Sequence, residues 1–241
     1  FQKTDHIIFD GFHAHIGSQI FEPQAFETEV EVMGQFLWEM QQTYGIETKC
    51  LDVGGGFAVH YTSDDAPIPI PTVAQTILRA CEKQKTKYHL PLEKILIEPG
   101  RSIVAEAGMT LYTVGFQKQT PHRHYIFVDG GMSDNIRPAL YQAKYRCAIA
   151  NRMNEQKKIP TCVAGKCCES GDVLIEEADL PETKPGDLLI VYTTGAYGFS
   201  MASEYNRLCR PAVVFVKDGK SHCVVKRETY QDLLRGECTF E

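Results

Sequence analysis

Apolar residues recur along the first hundred residues in patterns that predict alternating strands and helices. In one stretch they are spaced three and four positions apart, which places them on a single helical face: Phe26, Val30, Met33, Leu37, Met40 and Tyr44. Gly45 is well placed to end this helix. A second helix is predicted from Pro71 to about residue 87, with four residues on its buried side: Val73, Ile77, Leu78 and Cys81.

Three short segments, at 10–16, 49–53 and 94–97, are predicted as the strands of this region. A polar or glycine-rich motif lies at the end of each segment, where α/β barrels and open α/β sheets place their active sites. Three strand–helix units cannot close a barrel, which takes eight strands and about 250 residues. The region is therefore either a small open sheet or part of a barrel that other polypeptide completes.

From about residue 103 the pattern changes to short runs that predict strands, with turns such as Asp129-Gly-Gly and Asp218-Gly between them. These runs are 103–104, 109–114, 125–128, 188–192, 212–216 and 222–225, and one helix is predicted at 138–153. The fold class is therefore α/β followed by a mostly antiparallel β domain. We place the boundary near residue 105, which gives domains at 1–105 and 106–241.

Composition excludes several classes of function. The net charge is −6 without a basic run, so nucleic acid is not an expected partner. No apolar stretch approaches the roughly 20 residues that span a membrane, and no signal peptide opens the chain. The sequence begins with Phe1 rather than methionine, which suggests a cut or processed start. Nine irregularly spaced cysteines predict reduced thiols in a cytoplasmic protein.

Candidate anion-binding groups cluster after the second predicted strand. Gly54, Gly55 and Gly56 allow backbone N–H groups to approach a phosphate closely, although such a run is also common in plain turns. The hydroxyl groups of Ser18 and Tyr197 could each add a hydrogen bond.

Two further groups at strand ends admit more than one interpretation. Glu98 follows an apolar run and could either be a charge partner for a ligand or pair with Arg101. His13 and His15 have the spacing of a metal-binding pair in barrel hydrolases, but no further residues show ligand spacing, so no metal is predicted.

The second half of the chain offers candidate residues for binding a substrate. Arg137 and Tyr141 are four positions apart, so they share a helical face and could bind a carboxylate together, or form a surface salt bridge. Cys168 and Glu169 are adjacent, and a cysteine in a β domain can equally be a small buried residue.

Six motifs in this order resemble the pyridoxal-phosphate (PLP) decarboxylases of the alanine-racemase type, and within them most closely the diaminopimelate decarboxylases. The motifs are His13-Ala-His15-Ile-Gly-Ser18-Gln19, Asp52-Val-Gly54-Gly55-Gly56, Ile97-Glu98-Pro99-Gly100-Arg101, Arg137-Pro-Ala-Leu-Tyr141, Cys168-Glu169-Ser-Gly-Asp172 and Gly195-Ala-Tyr197. The resemblance covers residues 11 to about 235. It implies that 1–105 is the last part of a PLP-binding (β/α)8 barrel and that 106–241 is the carboxyl-terminal β domain.

The resemblance also implies roles for individual residues. Cofactor contacts are implied for His15, which would stack on the PLP ring, for Glu98 at the pyridine nitrogen, and for Ser18, Gly54, Gly55, Gly56, Gly100, Arg101 and Tyr197. Contacts with the distal end of the substrate are implied for Arg101, Arg137, Tyr141, Glu169 and Tyr197. Cys168 would act as a proton donor, and the Cys-Glu pair would reach the neighbouring subunit's site in a homodimer.

The implied reaction is decarboxylation of meso-2,6-diaminopimelate, an amino-acid substrate, to L-lysine and CO2. The family's Schiff-base lysine lies upstream of His15, where this chain has only Lys3, so we expect the chain alone to be inactive and to require a missing amino-terminal barrel segment. Two alternatives remain. The chain could act on another substrate with a distal carboxylate, such as carboxynorspermidine, or be a non-catalytic decarboxylase-like protein that binds partners.

Overall fold

Strands and helices alternate in unit 1 of the computed structural model, which comprises residues 6–60 and Asp64–Ile103. The structure describes residues 6–239 of the chain, so Lys3 lies outside the described residues. The elements are β1 (Gly11–His13), α1 (Pro23–Tyr44), β2 (Cys50–Asp52), α2 (Ile70–Tyr88), β3 (Lys94–Leu96) and α3 (Arg101–Val104), whose last residue belongs to unit 2. The three strands form a parallel sheet in the order β1-β2-β3, as the alternating pattern predicts.

The boundaries of the two long helices follow from local backbone chemistry. Pro23 begins α1, and Gly45 ends it in the left-handed conformation, with φ 64°, where its N–H donates to the carbonyl oxygen of Gln41. His89 ends α2 in the same conformation. The buried faces of both helices pack into one core with the strands: Phe26, Val30, Leu37, Leu51, Val53, Phe57, Val73, Ile77, Ala80, Cys81, Leu90 and Leu92.

Glu29 is a carboxylate inside this apolar core. Glu29 is 5% exposed, and neither of its carboxylate oxygens has a hydrogen-bond partner. Burial raises the pKa of Glu29 to about 7; the nearby His13 lowers it and Asp52 raises it. Glu29 is therefore a neutral acid below neutral pH and a buried charge above it.

Gly34 lets α1 approach α2 closely, and its replacement by alanine is expected to destabilise unit 1. A Cβ atom at Gly34 would lie 2.7 Å from both Cβ and Cγ of Gln84, which is too close for a real contact. Alanine favours a helix by about 1 kcal/mol over glycine, but overpacking costs about 1–3 kcal/mol. We expect Gly34→Ala to lower the free energy of unfolding by about 1 kcal/mol.

The chain's one tryptophan makes this prediction measurable in urea. Trp38 on α1 stacks on Tyr88 of α2 with ring centroids 5.7 Å apart, so its fluorescence reports the helix pair. The matched control is Gln35→Ala, on the exposed side of the same helix. Equal unfolding midpoints for the wild type and Gly34→Ala would mean that α2 can move away at little cost.

Unit 2 comprises Tyr61–Ser63 and residues from Val104 onward, and most of its elements are strands. They are β4 (Met109–Gln119), β5 (His124–Val128), β6 (Cys147–Ile149), β7 (Ile159–Ala164), β8 (Val173–Leu180), β9 (Leu188–Tyr192), β10 (Val213–Lys217) and β11 (Lys220–Val225). The first six form one sheet in the order β6-β9-β4-β5-β7-β8, in which only the β5–β7 pairing is parallel. The edge strands β6 and β8 also contact each other, which curves the sheet towards a barrel.

Unit 2 also contains two short α-helices, α4 (Arg137–Tyr141) and α5 (Tyr230–Leu234), and two sequence predictions in this part of the chain are wrong. The helix predicted at 138–153 ends at Tyr141, because Gln142 adopts the left-handed conformation and residues 147–149 pair with β9. Residues 103–104, predicted as a strand, lie in α3, where the Ile103 N–H closes a helical turn on the carbonyl oxygen of Gly100. Strands β6, β7 and β8 and helix α5 were not predicted.

Across the described residues, none of the helices combines the length and the apolarity needed to cross a membrane. All nine cysteines are free thiols in the structure.

Candidate active site

The polar motifs of unit 1 meet at the carboxyl end of its parallel sheet. His13, Asp52 and Leu96 lie side by side at the ends of β1, β2 and β3, so the loops that follow them are neighbours. Backbone hydrogen bonds join these loops, including one from the Glu98 N–H to the carbonyl oxygen of Gly54 at 2.6 Å. The site predicted from strand ends is therefore one continuous surface of unit 1.

His15 is oriented by the glycine motif. Its Nδ1 accepts a hydrogen bond from the Gly55 N–H at 3.2 Å, so Nδ1 carries no proton in this arrangement and the ring is held by the backbone. The Gly54 N–H donates to Oδ1 of Asp52 at 2.9 Å. Two of the three glycine N–H groups therefore already donate hydrogen bonds within the protein. We accordingly expect the anion contact of this loop at Gly56 and its neighbours rather than at Gly54 or Gly55.

Glycine at position 55 is required by how closely the loops approach. A Cβ atom there would lie 2.3 Å from the carbonyl oxygen of Glu98, and Gly54 has a φ of +64° that side chains rarely adopt. The glycine motif therefore brings His15 and Glu98 together, whether or not an anion binds.

Ser18 and Arg101 form a second part of the site, with the chemistry to bind a phosphate. The Nη2 group of Arg101 donates to the hydroxyl oxygen of Ser18 at 2.9 Å, and the Arg101 side chain is largely buried. A hydroxyl group beside a buried guanidinium, next to a glycine loop, suits an anion with several acceptor oxygens. These donors therefore fit the phosphate group of PLP.

Glu98 faces solvent beside a histidine. Its side chain is 61% exposed, and its Oε2 lies 3.6 Å from Nε2 of His13. Ligand atoms of His13, Asp52 and Glu98 all lie within 4.8 Å of one another. His13 is the histidine that approaches these carboxylates, whereas the metal-binding spacing weighed and rejected in the sequence combined His13 with His15. An exposed carboxylate in this position can also accept a hydrogen bond from a protonated ring nitrogen.

Arg137 is the centre of the site in unit 2. It is 8% exposed, at the start of α4, and its Nε donates to the hydroxyl oxygen of Tyr145 at 2.9 Å. Its guanidinium carbon lies 5.8, 5.4 and 5.8 Å from the ring centroids of three tyrosines, Tyr61, Tyr141 and Tyr197. Cation–π contacts of this kind stabilise a buried guanidinium. We call Arg137 with Tyr61, Tyr141, Tyr145 and Tyr197 the arginine cage.

The cage leaves part of the guanidinium for a ligand. Burial raises the pKa of the Tyr145 hydroxyl, and Arg137 opposes this only partly, so the phenol stays neutral at physiological pH. The neutral phenol of Tyr145 accepts the hydrogen bond from Nε of Arg137 without neutralising the positive charge of the guanidinium. The remaining nitrogens of Arg137 can then form the two parallel hydrogen bonds that a carboxylate accepts.

Two residues of the cage were missed by sequence reasoning. Tyr145 lies four residues after Tyr141, a spacing that a continued helix would have placed on the same face, but α4 ends first. Tyr61 precedes Arg137 by 76 positions and lies in the short segment Tyr61–Ser63, which belongs to unit 2 although the residues on both sides of the segment belong to unit 1. No local pattern could have joined it to Arg137.

Cys168 and Glu169 lie in the loop between β7 and β8, with neighbours other than those of the arginine cage. Cys168 is exposed, and its backbone N–H donates a hydrogen bond to Oδ1 of Asn206 at 2.7 Å. The hydroxyl group of Tyr205 donates to Oε2 of Glu169 at 3.3 Å. Cys167 is buried, as the alternative for a cysteine in a β domain predicts, whereas Cys168 is not.

Comparison with known proteins shows which proteins the chain is similar to. Residues 1–105 match the family described as pyridoxal-dependent decarboxylase, pyridoxal binding domain. The chain is 51% identical over 240 residues to diaminopimelate decarboxylase of Bacillus subtilis, which covers 99% of this chain and 55% of the relative. The Staphylococcus aureus enzyme is 43% identical over 235 residues, with coverages of 97% and 55%.

Solved structures agree with the sequence relatives. Diaminopimelate decarboxylase of M. jannaschii, in complex with L-lysine, matches 99% of this chain and 54% of its own, with a TM-score of 0.91 and 32% identity. The lysine/ornithine decarboxylase of Vibrio vulnificus, in complex with cadaverine, matches 83% of this chain and 53% of its own, with a TM-score of 0.71 and 27% identity.

The chain belongs to the fold type III pyridoxal-phosphate-dependent decarboxylases. Within that class its sequence corresponds to the diaminopimelate decarboxylases. It spans about half the length of the curated relatives that it matches.

Proposed function

We propose that this chain supplies the last strands of the PLP-binding barrel and the β domain of a diaminopimelate decarboxylase. The enzyme would convert meso-2,6-diaminopimelate to L-lysine and CO2, as a step of lysine biosynthesis. The observation that carries the proposal is the arginine cage, because a buried guanidinium with free hydrogen-bonding capacity suits the carboxylate at the far end of this substrate. Ornithine ends in an amine there and would leave Arg137 unsatisfied.

The residues of unit 1 would hold the cofactor. PLP, when bound, accepts the electron pair that carbon dioxide leaves behind. Ser18, Arg101 and the loop at Gly56 and Gly100 would bind its phosphate, and the Glu98 carboxylate would accept a hydrogen bond from the ring nitrogen. The imidazole of His15, oriented by the Gly55 N–H, would lie against the ring.

The residues of unit 2 would hold the substrate and move a proton. Arg137 would bind the distal carboxylate, with Tyr141 and Tyr197 adding hydroxyl groups, and Glu169 would accept hydrogen bonds from the distal ammonium group. Cys168 would donate a proton to the carbon atom that has lost its carboxylate. In this proposal Cys168 and Glu169 act in the second subunit of a homodimer, which makes the two active sites interdependent.

The decisive experiment joins this chain to the part of the Bacillus subtilis relative that lies outside the match, in one polypeptide. We expect release of CO2 from meso-diaminopimelate, with lysine as the other product, and no release by this chain alone. Ornithine serves as the control substrate. Activity on another substrate with a distal carboxylate, but not on diaminopimelate, would contradict the proposed substrate. A joined polypeptide that fails to bind PLP would favour the non-catalytic, partner-binding alternative.

A second measurement tests where the cofactor's lysine lies. The chain is mixed with PLP, reduced with borohydride and weighed by intact-mass spectrometry, because reduction fixes any lysine–PLP linkage as a mass increment. We expect no stoichiometric adduct on this chain and one adduct on the joined polypeptide, outside residues 1–241. A single adduct on a lysine of this chain would contradict the division of roles proposed above.

A further inference from the structure

Asp172 ties together two segments of unit 2 that carry proposed active-site residues. It is 3% exposed, and its carboxylate accepts two backbone hydrogen bonds, from the Met132 N–H at 2.6 Å and from the Cys167 N–H at 2.7 Å. The first donor lies five residues before Arg137. The second immediately precedes Cys168. One buried carboxylate therefore links the approach to the arginine cage with the loop that carries Cys168 and Glu169.

The sequence reserves space for this carboxylate on both sides. A Cβ atom at Gly131 would lie 2.5 Å from Oδ2 of Asp172, and one at Gly165 would lie 2.2 Å from the same oxygen. Any larger residue at either position would push the carboxylate out of its place. Two glycines from separate segments thus enclose a single acidic group, which is more than a generic turn requires.

The backbone of Asp172 also closes the loop itself. Its N–H donates to the carbonyl oxygen of Glu169 at 3.1 Å, and its carbonyl oxygen accepts the Gly165 N–H at 2.9 Å. Residues 165–172 therefore form a compact loop whose two ends meet at Asp172.

A second side chain secures the next residue of the loop. Oδ1 of Asn206 accepts the Cys168 N–H at 2.7 Å, and Asn206 itself adopts a left-handed conformation with φ 54°, which asparagine tolerates better than most residues. Two consecutive N–H groups, of Cys167 and Cys168, are thus bound by side chains from two different parts of the chain. Such an arrangement fixes the direction in which the Cys168 thiol and the Glu169 carboxylate leave the loop.

We propose that Asp172 is a positioning residue, assisted by Asn206, that holds the Cys168-Glu169 loop in a fixed arrangement with the segment leading to Arg137. The inference rests on the proposed function for its catalytic meaning, but its structural content can be tested without activity. A carboxylate accepts both N–H groups, whereas the amide of asparagine offers one oxygen and places an NH2 group against the other donor. Asp172→Asn therefore removes one of the two hydrogen bonds to this side chain and leaves the size and shape of the side chain almost unchanged.

The first test is amide hydrogen exchange on this chain. In Asp172→Asn we expect the amides of Met132 or Cys167 to exchange about tenfold faster or more, since a hydrogen bond to a charged group is lost, while the amides of β4 and β9 stay unchanged. Cys167 should also become open to alkylation, with the exposed Cys223 and Cys238 as internal references.

Three further variants separate positioning from general stability. Asp179→Asn, an exposed change in the same unit, should have no effect. Leu189→Ala, a cavity in β9, should speed exchange throughout the sheet but not selectively in the loop. Asn206→Gly keeps the left-handed backbone accessible and removes only the acceptor, so it should speed exchange at Cys168 and not at Met132. The last variant also keeps the test decisive if Asp172→Asn does not fold.

The second test is kinetic and uses the joined polypeptide described above. We expect Asp172→Asn to lower kcat for decarboxylation by about tenfold or more, and Leu189→Ala to leave kcat unchanged below its unfolding temperature. Exchange that rises uniformly, or that rises at neither Met132 nor Cys167, would overturn the inference, as would an unchanged kcat. An inactive wild-type polypeptide would refute the proposed function, and the exchange result would still decide the role of Asp172 in the loop.

Discussion

Replacing Arg137 by lysine is expected to raise the KM for meso-diaminopimelate by about 100-fold, with a much smaller change in kcat. The guanidinium donates to Tyr145 through Nε and keeps other nitrogens for the substrate, whereas a lysine ammonium is a single point charge. It cannot satisfy Tyr145 and also form two parallel bonds to a carboxylate. A factor of 100 corresponds to about 2.7 kcal/mol of binding free energy.

The effect should fall on KM because the distal carboxylate does not react. A contact made equally before and during the reaction lowers the free energy of both states and leaves kcat unchanged. Steady-state kinetics of the joined polypeptide measure both constants. Arg235→Lys, an exposed arginine of unit 2, is the matched control and should behave as the wild type.

Tyr145→Phe separates the charge of Arg137 from its orientation. The change removes the acceptor of the Nε hydrogen bond and retains the guanidinium, so we expect KM to rise by about tenfold. If Arg137→Lys lowered kcat and left KM unchanged, Arg137 would act at the reacting centre rather than at the distal end. The proposed preference for diaminopimelate over ornithine would then lose its structural basis.

Unit 1 is expected to lose about 2 kcal/mol of stability between pH 5 and pH 8 because of Glu29. The pKa of Glu29 is about 7 in the folded protein, against 4.5 for an ordinary glutamate. The folded state therefore holds its proton more tightly than the unfolded state. Below pH 4.5 the carboxyl group of Glu29 does not lower the free energy of unfolding. Between pH 4.5 and pH 7 it lowers this free energy progressively, and above about pH 7 the loss is complete.

The expected magnitude follows from the size of the pKa shift. One pKa unit corresponds to about 1.4 kcal/mol, so complete charging would cost about 3 kcal/mol. Between pH 5 and pH 8 only part of this cost is added, because the unfolded state is already partly ionised at pH 5, and about 2 kcal/mol is the value we expect. Glu29→Gln removes the titration, so its free energy of unfolding relative to that of the wild type should be about 2 kcal/mol higher at pH 8 than at pH 5.

Urea unfolding followed by Trp38 fluorescence at several pH values measures this difference. Glu39→Gln, an exposed change on the same helix, is the control and should follow the wild type at every pH. A wild type and Glu29→Gln that differ equally at pH 5 and pH 8 would show that the carboxyl group does not titrate in this range.

The elements that sequence predicted well are those whose cause is local. Helices α1 and α2 follow from apolar residues spaced along one face, from prolines at their starts and, for α1, from Gly45 at its end. The prediction for one residue of the buried side of α2, Leu78, is wrong, since Leu78 is 52% exposed. The helix predicted at 138–153 had a similar local pattern, but Gln142 turned the backbone and pairing with β9 took residues 147–149. Tertiary pairing thus decided a segment whose own preference was helical.

Strands β7 and β8 escaped prediction because their composition hides the alternating pattern. Pro160 lies in β7, and Glu176 and Glu177 lie in β8, residues that strands generally contain rarely. The two strands pair with each other across the Cys168-Glu169 loop, and β7 pairs with β5 from a distant part of the chain. The strand conformation of β7 and β8 therefore depends on these pairings and not on the local sequence.

The site shows the same division between local and distant causes. Arg137 and Tyr141 share α4, as their spacing predicts, and their side chains are in contact. The contacts of Arg137 with Tyr61, and of Asp172 with Met132, join residues 76 and 40 positions apart. Spacing in sequence carries no signal for such pairs, and only the fold brings them together.

The segment Tyr61–Ser63 has a practical consequence for dissecting the protein. These three residues pack with unit 2, although the residues on both sides of them belong to unit 1. A polypeptide cut after Ile103 would therefore keep Tyr61 but lose the guanidinium and the Tyr145 ring against which it lies. An aromatic side chain that is 6% exposed here would meet water. Anyone who wishes to express unit 1 separately should replace Tyr61 with a polar residue, and should not read aggregation of the unmodified piece as failure of the parallel sheet to fold.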